Sequence, residues 1–348
     1  MQCTLLIPHL APRADLLDAP GGGPDLPNLQ LLMSRGRHRA FPPLAWEAWL
    51  CQAFEVERQR DWPVAPLTLA ADGGDPEESY WLRADPVHMR IHRNQLVLSD
   101  TSGFAVSLEE ARALVESMNA HFKPEGLRFS APHANRWYLR VDNDPGVSTT
   151  ALDDAAGDLI DRHLPAGPNA LAWRRILNET QMLLHAHAIN EAREARGEPA
   201  INGVWFWGGG RRTAVPGRHF TAVVSNEALG LALAAHADVT ASPLPRNAVQ
   251  WLAARSEHGA HRLVVPDALT ASARRGDAVA WRRALEALDA DWIGPLIQAL
   301  KAGRLAEVAL VAPAPLACHR FELRRRDLLR FWRMPRPPAR WLEEPSRV

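Results

Sequence analysis

Apolar positions along the chain follow two periods. Short unbroken runs have the length of buried strands: Met1–Ile7, Gly203–Trp207, Arg262–Val265 and Val308–Val311. Pro8 stops the first, and Gly208-Gly209-Gly210 stop the second. Tyr80–Arg83, Gln95–Leu98, Leu127–Phe129 and Arg136–Val141 also read as strands. Other segments repeat at helical spacing: Asn28–Ser34 (ending near Gly36), Trp46–Arg58, Leu171 to about Ala195, Asn226–Ala235 and Ala248–Glu257. Ser107, with Glu110 three residues on, forms a capping box for a helix reaching Phe122, inside a small β-α-β unit. Asp277–Ala302 is a long amphipathic helix that Pro295 is expected to break or kink. Residues 11–27 and 142–170, rich in Pro, Gly and Asp, read as loops. Strands alternating with helices predict an α/β sheet covered by helices on both faces.

Charge narrows the choice of partner. The 348 residues carry 40 basic and 40 acidic side chains, a formal net charge of zero. That balance argues against gripping nucleic acid or an anionic membrane, which takes a positive excess. No apolar run approaches the roughly 20 residues that cross a bilayer. Only Lys123 and Lys301 are lysines, so covalent lysine chemistry is nearly excluded, while arginine supplies planar two-pronged contacts. Cys3, Cys51 and Cys318 give neither a disulfide framework nor a metal knuckle and read as reduced thiols. With an N-terminal apolar stretch too short for a signal peptide, the expected location is the cytoplasm.

Several positions are candidates for chemistry. Trp205-Phe206-Trp207 runs into Gly208, Gly209 and Gly210, whose backbone N–H groups would form an anion nest followed at once by Arg211 and Arg212. The alternative is a glycine turn with solvated arginines. This is neither GxGxxG nor GxxxxGK[ST], so no nucleotide cofactor is implied. His185 and His187 end a helix, where side chains two apart diverge, and they read as helix-terminal groups rather than metal ligands. Asn178 and Glu179 on that helix serve a site or simply cap and pack. Asp267 and Asp277 follow a core strand at the end where open α/β sheets take ligands. GxSxG and HEXXH are absent. The Arg324–Arg326 run reads as a solvated face within a basic-aromatic stretch to Trp332.

The segment His185–Arg212 is similar to one in archaeal-type cofactor-independent phosphoglycerate mutases. Matching positions are His187, Ile189, Asn190, Arg193, Gly197, Pro199, Ala200, Asn202, Trp207, Gly208 and Gly210. Leu26–Leu32 resembles the Thr-Pro-Asn-Leu element near the start of alkaline-phosphatase-like domains, and Arg274–Leu300 resembles the family's Gly-Asp and following helix. The resemblance implies an alkaline-phosphatase-like core sheet with helices on both faces. Residues 1–78 and 200–348 would form it, and an inserted smaller α+β domain would span 79–199. Most of the family's catalytic groups do not carry over. Pro8-His9-Leu10 stands where an Asp-Gly turn is expected, and Pro42–Trp46 lacks the Ser or Thr nucleophile. Asp267 matches a metal-binding Asp, but Ala271 sits at its His partner's position. Ala312-Pro313-Ala314-Pro315 replaces an Asp-His pair, leaving His319 as a match for a final His. The chain resembles still more a bacterial group of regulatory proteins, the regulation-of-pathogenicity-factors E type, through Trp137–Arg140, Asn178–His185 and Trp207–Gly210.

The expected function is therefore a degenerate phosphoglycerate-mutase-like protein, without cofactor, metal ligands or catalytic residues, acting as a regulatory or anion-binding module. Its ligand site would draw on Gly208, Gly209, Gly210, Arg211, Arg212, Asn190, Arg193, Asn202 and Asp267. The implied partners are a phosphorylated small molecule and a regulatory protein. Two alternatives stand beside it: a divergent mutase or phosphatase with relocated ligands, and a protein–protein scaffold.

Overall fold

A computed structural model describes residues 1–11, 16, 23–92, 95–253 and 259–343. The chain divides into two units, Met1–Glu55 with Pro216–Val348, and Val56–Val215. The boundaries expected from sequence fell at 78/79 and 199/200.

The first unit is built on seven strands: β1 (Gln2–Leu6), β2 (Arg37–Phe41), β8 (Ala222–Ser225), β9 (Thr240–Ser242), β10 (His261–Val265), β11 (Glu307–Pro313) and β12 (Cys318–Arg324). Their order is β2-β12-β11-β1-β10-β8-β9. β1 lies parallel between β10 and β11, with Leu5 opposite both Val264 and Leu310. Three of the four apolar runs seen in the sequence, Met1–Ile7, Arg262–Val265 and Val308–Val311, are these central strands, and Leu5, Leu6, Val264 and Leu310 are buried completely. Helices flank the sheet, as expected. Pro27–Arg35 contributes Leu29, Leu32 and Met33 to the same core as Trp281, Leu285 and Leu288 of Ala278–Leu288.

The antiparallel edge was not read from the sequence. β2 is Arg-His-Arg-Ala-Phe, three polar residues before two apolar ones, and as the outermost strand it carries no continuous apolar run. β12 alternates buried and more exposed residues. Trp46–Arg58 was expected to be helical throughout, but the helix stops at Ala53, and Glu55 adopts a left-handed φ of 56°. Ala248–Ala253 is helical; the remainder of the expected helix, 254–258, lies outside the described residues, as do 12–15 and 17–22 of the first loop.

Pro295 does not end its helix. Helical backbone continues from Ala278–Leu288 through a π-turn, Asp289–Ile293, into Gly294–Lys301, whose first turn holds the proline, where a missing N–H costs little. Widened turns of this kind gather at functional or strained points. Here it carries Asp289, 2% exposed, to the start of Pro27–Arg35. That helix has no side-chain cap of its own. The Asp289 carboxylate accepts the Leu29 N–H at 2.6 Å and the Asn28 side-chain amide at 2.9 Å. Burial raises the Asp289 pKa against the pull of these donors.

The second unit contains β3 (Tyr80–His92), β4 (Gln95–Ser99), β5 (Arg128–His133), β6 (Arg136–Val141) and β7 (Gly203–Gly210). β3 is much longer than the expected Tyr80–Arg83 and pairs antiparallel with β4, β6 and β7. Its partner β7 therefore belongs to this unit. The capping box at Ser107 and Glu110 is present on both sides, at 3.1 and 2.9 Å. The expected helix from Leu171 to Ala195 is two helices, Ala170–His185 and Ala188–Ala195, joined at Ala186 and His187.

Asp289→Ala removes the acceptor for two helix-terminal donors. It should lower stability by about 1–3 kcal/mol, with Asp289→Asn in between, read from urea midpoints at constant slope.

Candidate functional site

The residues proposed as a ligand set separate into three groups. The first is the glycine run. The strand does not stop at Trp207; it continues through Gly208, Gly209 and Gly210, all buried in β7, so no exposed nest forms there. Gly208 has φ +64°, and the pairing with β3 shifts register between Trp81 and Arg83. A Cβ would lie 2.9 Å from Val64 at Gly208, 2.8 Å from the Tyr80 hydroxyl at Gly209 and 2.6 Å from Pro63 at Gly210. The glycines thus let neighbouring segments approach. The Arg211 guanidinium donates to the carbonyl oxygens of Glu78 and Asp142, its main chain pairs with the Gln59 amide, and Arg212 is exposed.

The second group is Asn190, Arg193 and Asn202. Asn190 is 1% exposed; its amide donates to Leu184 O at 2.7 Å and Ile201 O at 2.9 Å, and its oxygen accepts Ile201 N–H at 2.7 Å. Asn202 spans both main-chain groups of Met89, at 2.7 and 2.8 Å. Arg193, also 1% exposed, donates to Pro199 O, Ala105 O and both Glu110 oxygens. His187 caps the Ala188–Ala195 helix through Ile189 N–H and bonds Ser117. These side chains are consumed in tying one helix–loop–strand passage together.

The third position, Asp267, lies in the first unit beyond β10. It accepts the Asn226 side-chain amide at 3.1 Å, and Asn226 accepts Leu244 N–H.

A polar cluster in the second unit escaped the sequence reading. Arg83 and Asp85, two residues apart on β3, share one face. Arg83 donates to Asp85 Oδ1 at 2.7 and 3.1 Å between the rings of Tyr138 and Trp207, while the Trp207 indole donates to Asp85 Oδ2 at 2.7 Å. Arg136 grips Asp72 through two hydrogen bonds, and the Tyr138 hydroxyl adds a third at 2.6 Å. Burial alone would raise the Asp72 pKa; Arg136 and Tyr138 outweigh it and hold it below its ordinary 3.8. An arginine and a carboxylate at alternate strand positions were the available signal.

The sheet end where doubly wound folds take ligands has another character. Beyond β1, Leu10 is buried, and the Trp281 indole donates to the His9 carbonyl at 3.0 Å. A cavity of about 630 Å³ opens there between Leu10, Leu26, Trp281, Leu285 and the Pro315-Leu316 turn after β11. Pro337, Pro338 and Leu342 of the C-terminal segment also line it, and its charged lining residues are Arg282 and Glu343. His319, the expected final histidine, is fully buried on β12, 3.0 Å from His38. Among the described residues no three His, Cys, Asp or Glu side chains converge where they could hold a metal ion. The described donors do not fit the metal-binding Asp and His set that the resemblance implies. Cys3, Cys51 and Cys318 are buried free thiols, and burial raises Cys318 to about 11, far from a nucleophilic thiolate at neutral pH.

No family model matches the chain. It is 28% identical over 151 residues to the 2,3-bisphosphoglycerate-independent phosphoglycerate mutase of Methanosarcina mazei, covering 42% of this chain and 36% of that one. The probable enzyme of the same name from Geobacter sulfurreducens is 24% identical over 159 residues, 45% of this chain and 39% of that one. This chain is homologous to archaeal-type cofactor-independent phosphoglycerate mutases. The matched stretch spans little more than a third of the M. mazei mutase. The PH0037 protein of Pyrococcus horikoshii superposes with a TM-score of 0.53 at 14% identity, over 92% of this chain and 86% of that one, which shows a shared fold. The mixed α/β, alkaline-phosphatase-like architecture implied by the sequence resemblance is present. Among the described residues no helix is long and apolar enough to cross a membrane.

Asn190→Ala removes the side-chain hydrogen bonds to Leu184 O and to both main-chain groups of Ile201 and should cost about 2–3 kcal/mol on chemical denaturation. An unmoved midpoint would contradict the structural role assigned to it. Asp72, with its lowered pKa, contributes stability that is complete above its unfolded value and lost as pH falls through the folded one. Asp72→Asn should therefore flatten the decline of unfolding free energy below about pH 4.

Proposed function

We propose that this chain is a phosphoglycerate-mutase-like protein that does not transfer phosphate and acts as a cytoplasmic regulatory or binding module. The observation that carries the reading is the lining of the sheet's ligand-binding end. Phosphoryl transfer needs a nucleophile and positive charge, commonly metal ions, to neutralise the moving group. The cavity at that end is lined mainly by apolar residues such as Leu10, Trp281, Leu285, Pro315 and Leu316, and its two charged lining residues, Arg282 and Glu343, are of opposite sign, so it offers a phosphoryl group dispersion contacts and little net charge. The mutase-like residues that survive are engaged in holding the fold: Asn28 with Asp289, and Asn190, Arg193 and Asn202 with main chain. The resemblance of Trp137–Arg140 and Asn178–His185 to bacterial regulatory proteins supports the same reading.

The test is elemental analysis of the purified full chain for manganese, zinc and magnesium, alongside phosphoglycerate mutase and phosphatase assays with each metal supplied. Substoichiometric metal and no turnover are expected. One or two equivalents of metal accompanied by turnover would overturn the proposal and establish a divergent enzyme.

A further inference from the structure

The edge of the seven-stranded sheet carries a second cavity, about 760 Å³ in volume, within the range of small-molecule sites. Its walls come from the start of β2 and from the chain after β12, and they are basic and aromatic. Arg37, Arg330, Arg333 and Arg336 line it together with Trp332 and Trp341. One carboxylate, Asp327, pairs with Arg330 at 2.9 Å; no other ion pair engages these four guanidiniums among the described residues.

The arginines are held in place by main chain. Arg330 donates to Arg35 O at 3.1 Å and Arg333 to Gly36 O at 3.2 Å, so the C-terminal carbonyls of the Pro27–Arg35 helix anchor both. Each guanidinium has further N–H donors beyond those used. Arg336 is fixed by its backbone N–H on Ser34 Oγ at 3.0 Å, and its guanidinium lies 5.8 Å from the centre of the Trp341 ring. The Trp341 indole N–H is buried without an acceptor among the described residues. Trp332 is 66% exposed, although its size and apolarity favour cover. Guanidiniums with spare donors beside accessible aromatic faces are the groups that would hold a flat anionic ligand.

We propose that this cavity binds a small phosphorylated ligand with a flat ring, a mononucleotide by chemical class. The arginines take the phosphate through two-pronged hydrogen bonds, and the ring stacks on Trp332 or Trp341. The formal net charge of zero does not oppose this, because a local excess of positive charge is enough for one phosphate. The site lies at the sheet edge and not at the strand ends, so its test stands whether or not the chain turns over phosphate.

Isothermal titration of the full chain with AMP, adenosine and inorganic phosphate decides it. AMP should bind measurably and lose affinity at high salt, with adenosine and phosphate each roughly tenfold weaker or more. Arg37→Gln combined with Arg336→Gln should weaken AMP by roughly tenfold or more with the melting temperature in place. Trp332→Ala should weaken AMP while leaving phosphate unchanged. No AMP binding at millimolar concentration would overturn the proposal, as would binding that ignores these substitutions. Single-stranded RNA binding far more tightly than AMP would also overturn it in favour of a polymer surface.

Discussion

A parallel strand buried on both faces has no side chain to spare for chemistry. That constraint governs the first unit. β1, β10 and β11 fill the sheet centre with Leu5, Leu6, Val264 and Leu310, whose only task is packing. Reactive groups can then stand only where strands end or at the sheet's antiparallel edge. What the molecule does is therefore decided by a few loop residues, while nearly all of the apolar sequence decides only the fold.

The two places allowed by this constraint differ in kind. At the ends of β1 and β11, Leu10 and the Pro315-Leu316 turn face Trp281 and Leu285 across an apolar cavity. At the edge, polar β2 and the arginine-rich segment after β12 enclose a basic one. The same C-terminal stretch lines both: Pro337, Pro338 and Leu342 the first, Arg336 and Trp341 the second. Any ligand touching Arg336 and Trp341 would therefore sit on the same segment that lines the other cavity.

Much of the fold was legible because buried strands and capped helices leave local marks. Leu263-Val264-Val265 before a proline, and Ser107 followed by Glu110, state their structures within a few residues. The antiparallel edge was not legible, because an outermost strand such as β2 lacks an apolar run. Pro295 misled for a related reason: a proline forbids one hydrogen bond, and whether the backbone breaks or widens depends on what the displaced turn meets. Here it meets Asn28 and Leu29, more than 250 residues away in sequence.

The candidate site shows where motif reading stops. Asn190, Arg193 and Asn202 have the spacing of a recognised family segment, yet spacing does not reveal whether an amide faces a ligand or a carbonyl of its own chain. Their hydrogen bonds to Ile201, Pro199 and Met89 answer that question, and no one-dimensional pattern contains the answer. Gly208, Gly209 and Gly210 pose the same ambiguity, since a glycine run permits either a phosphate or a neighbouring side chain to come close. Val64, Tyr80 and Pro63 take that space here. The basic cavity was marked only in part, by the basic-aromatic stretch that ends at Trp332, because Arg37 and Arg336 lie 299 residues apart and meet only in the folded chain.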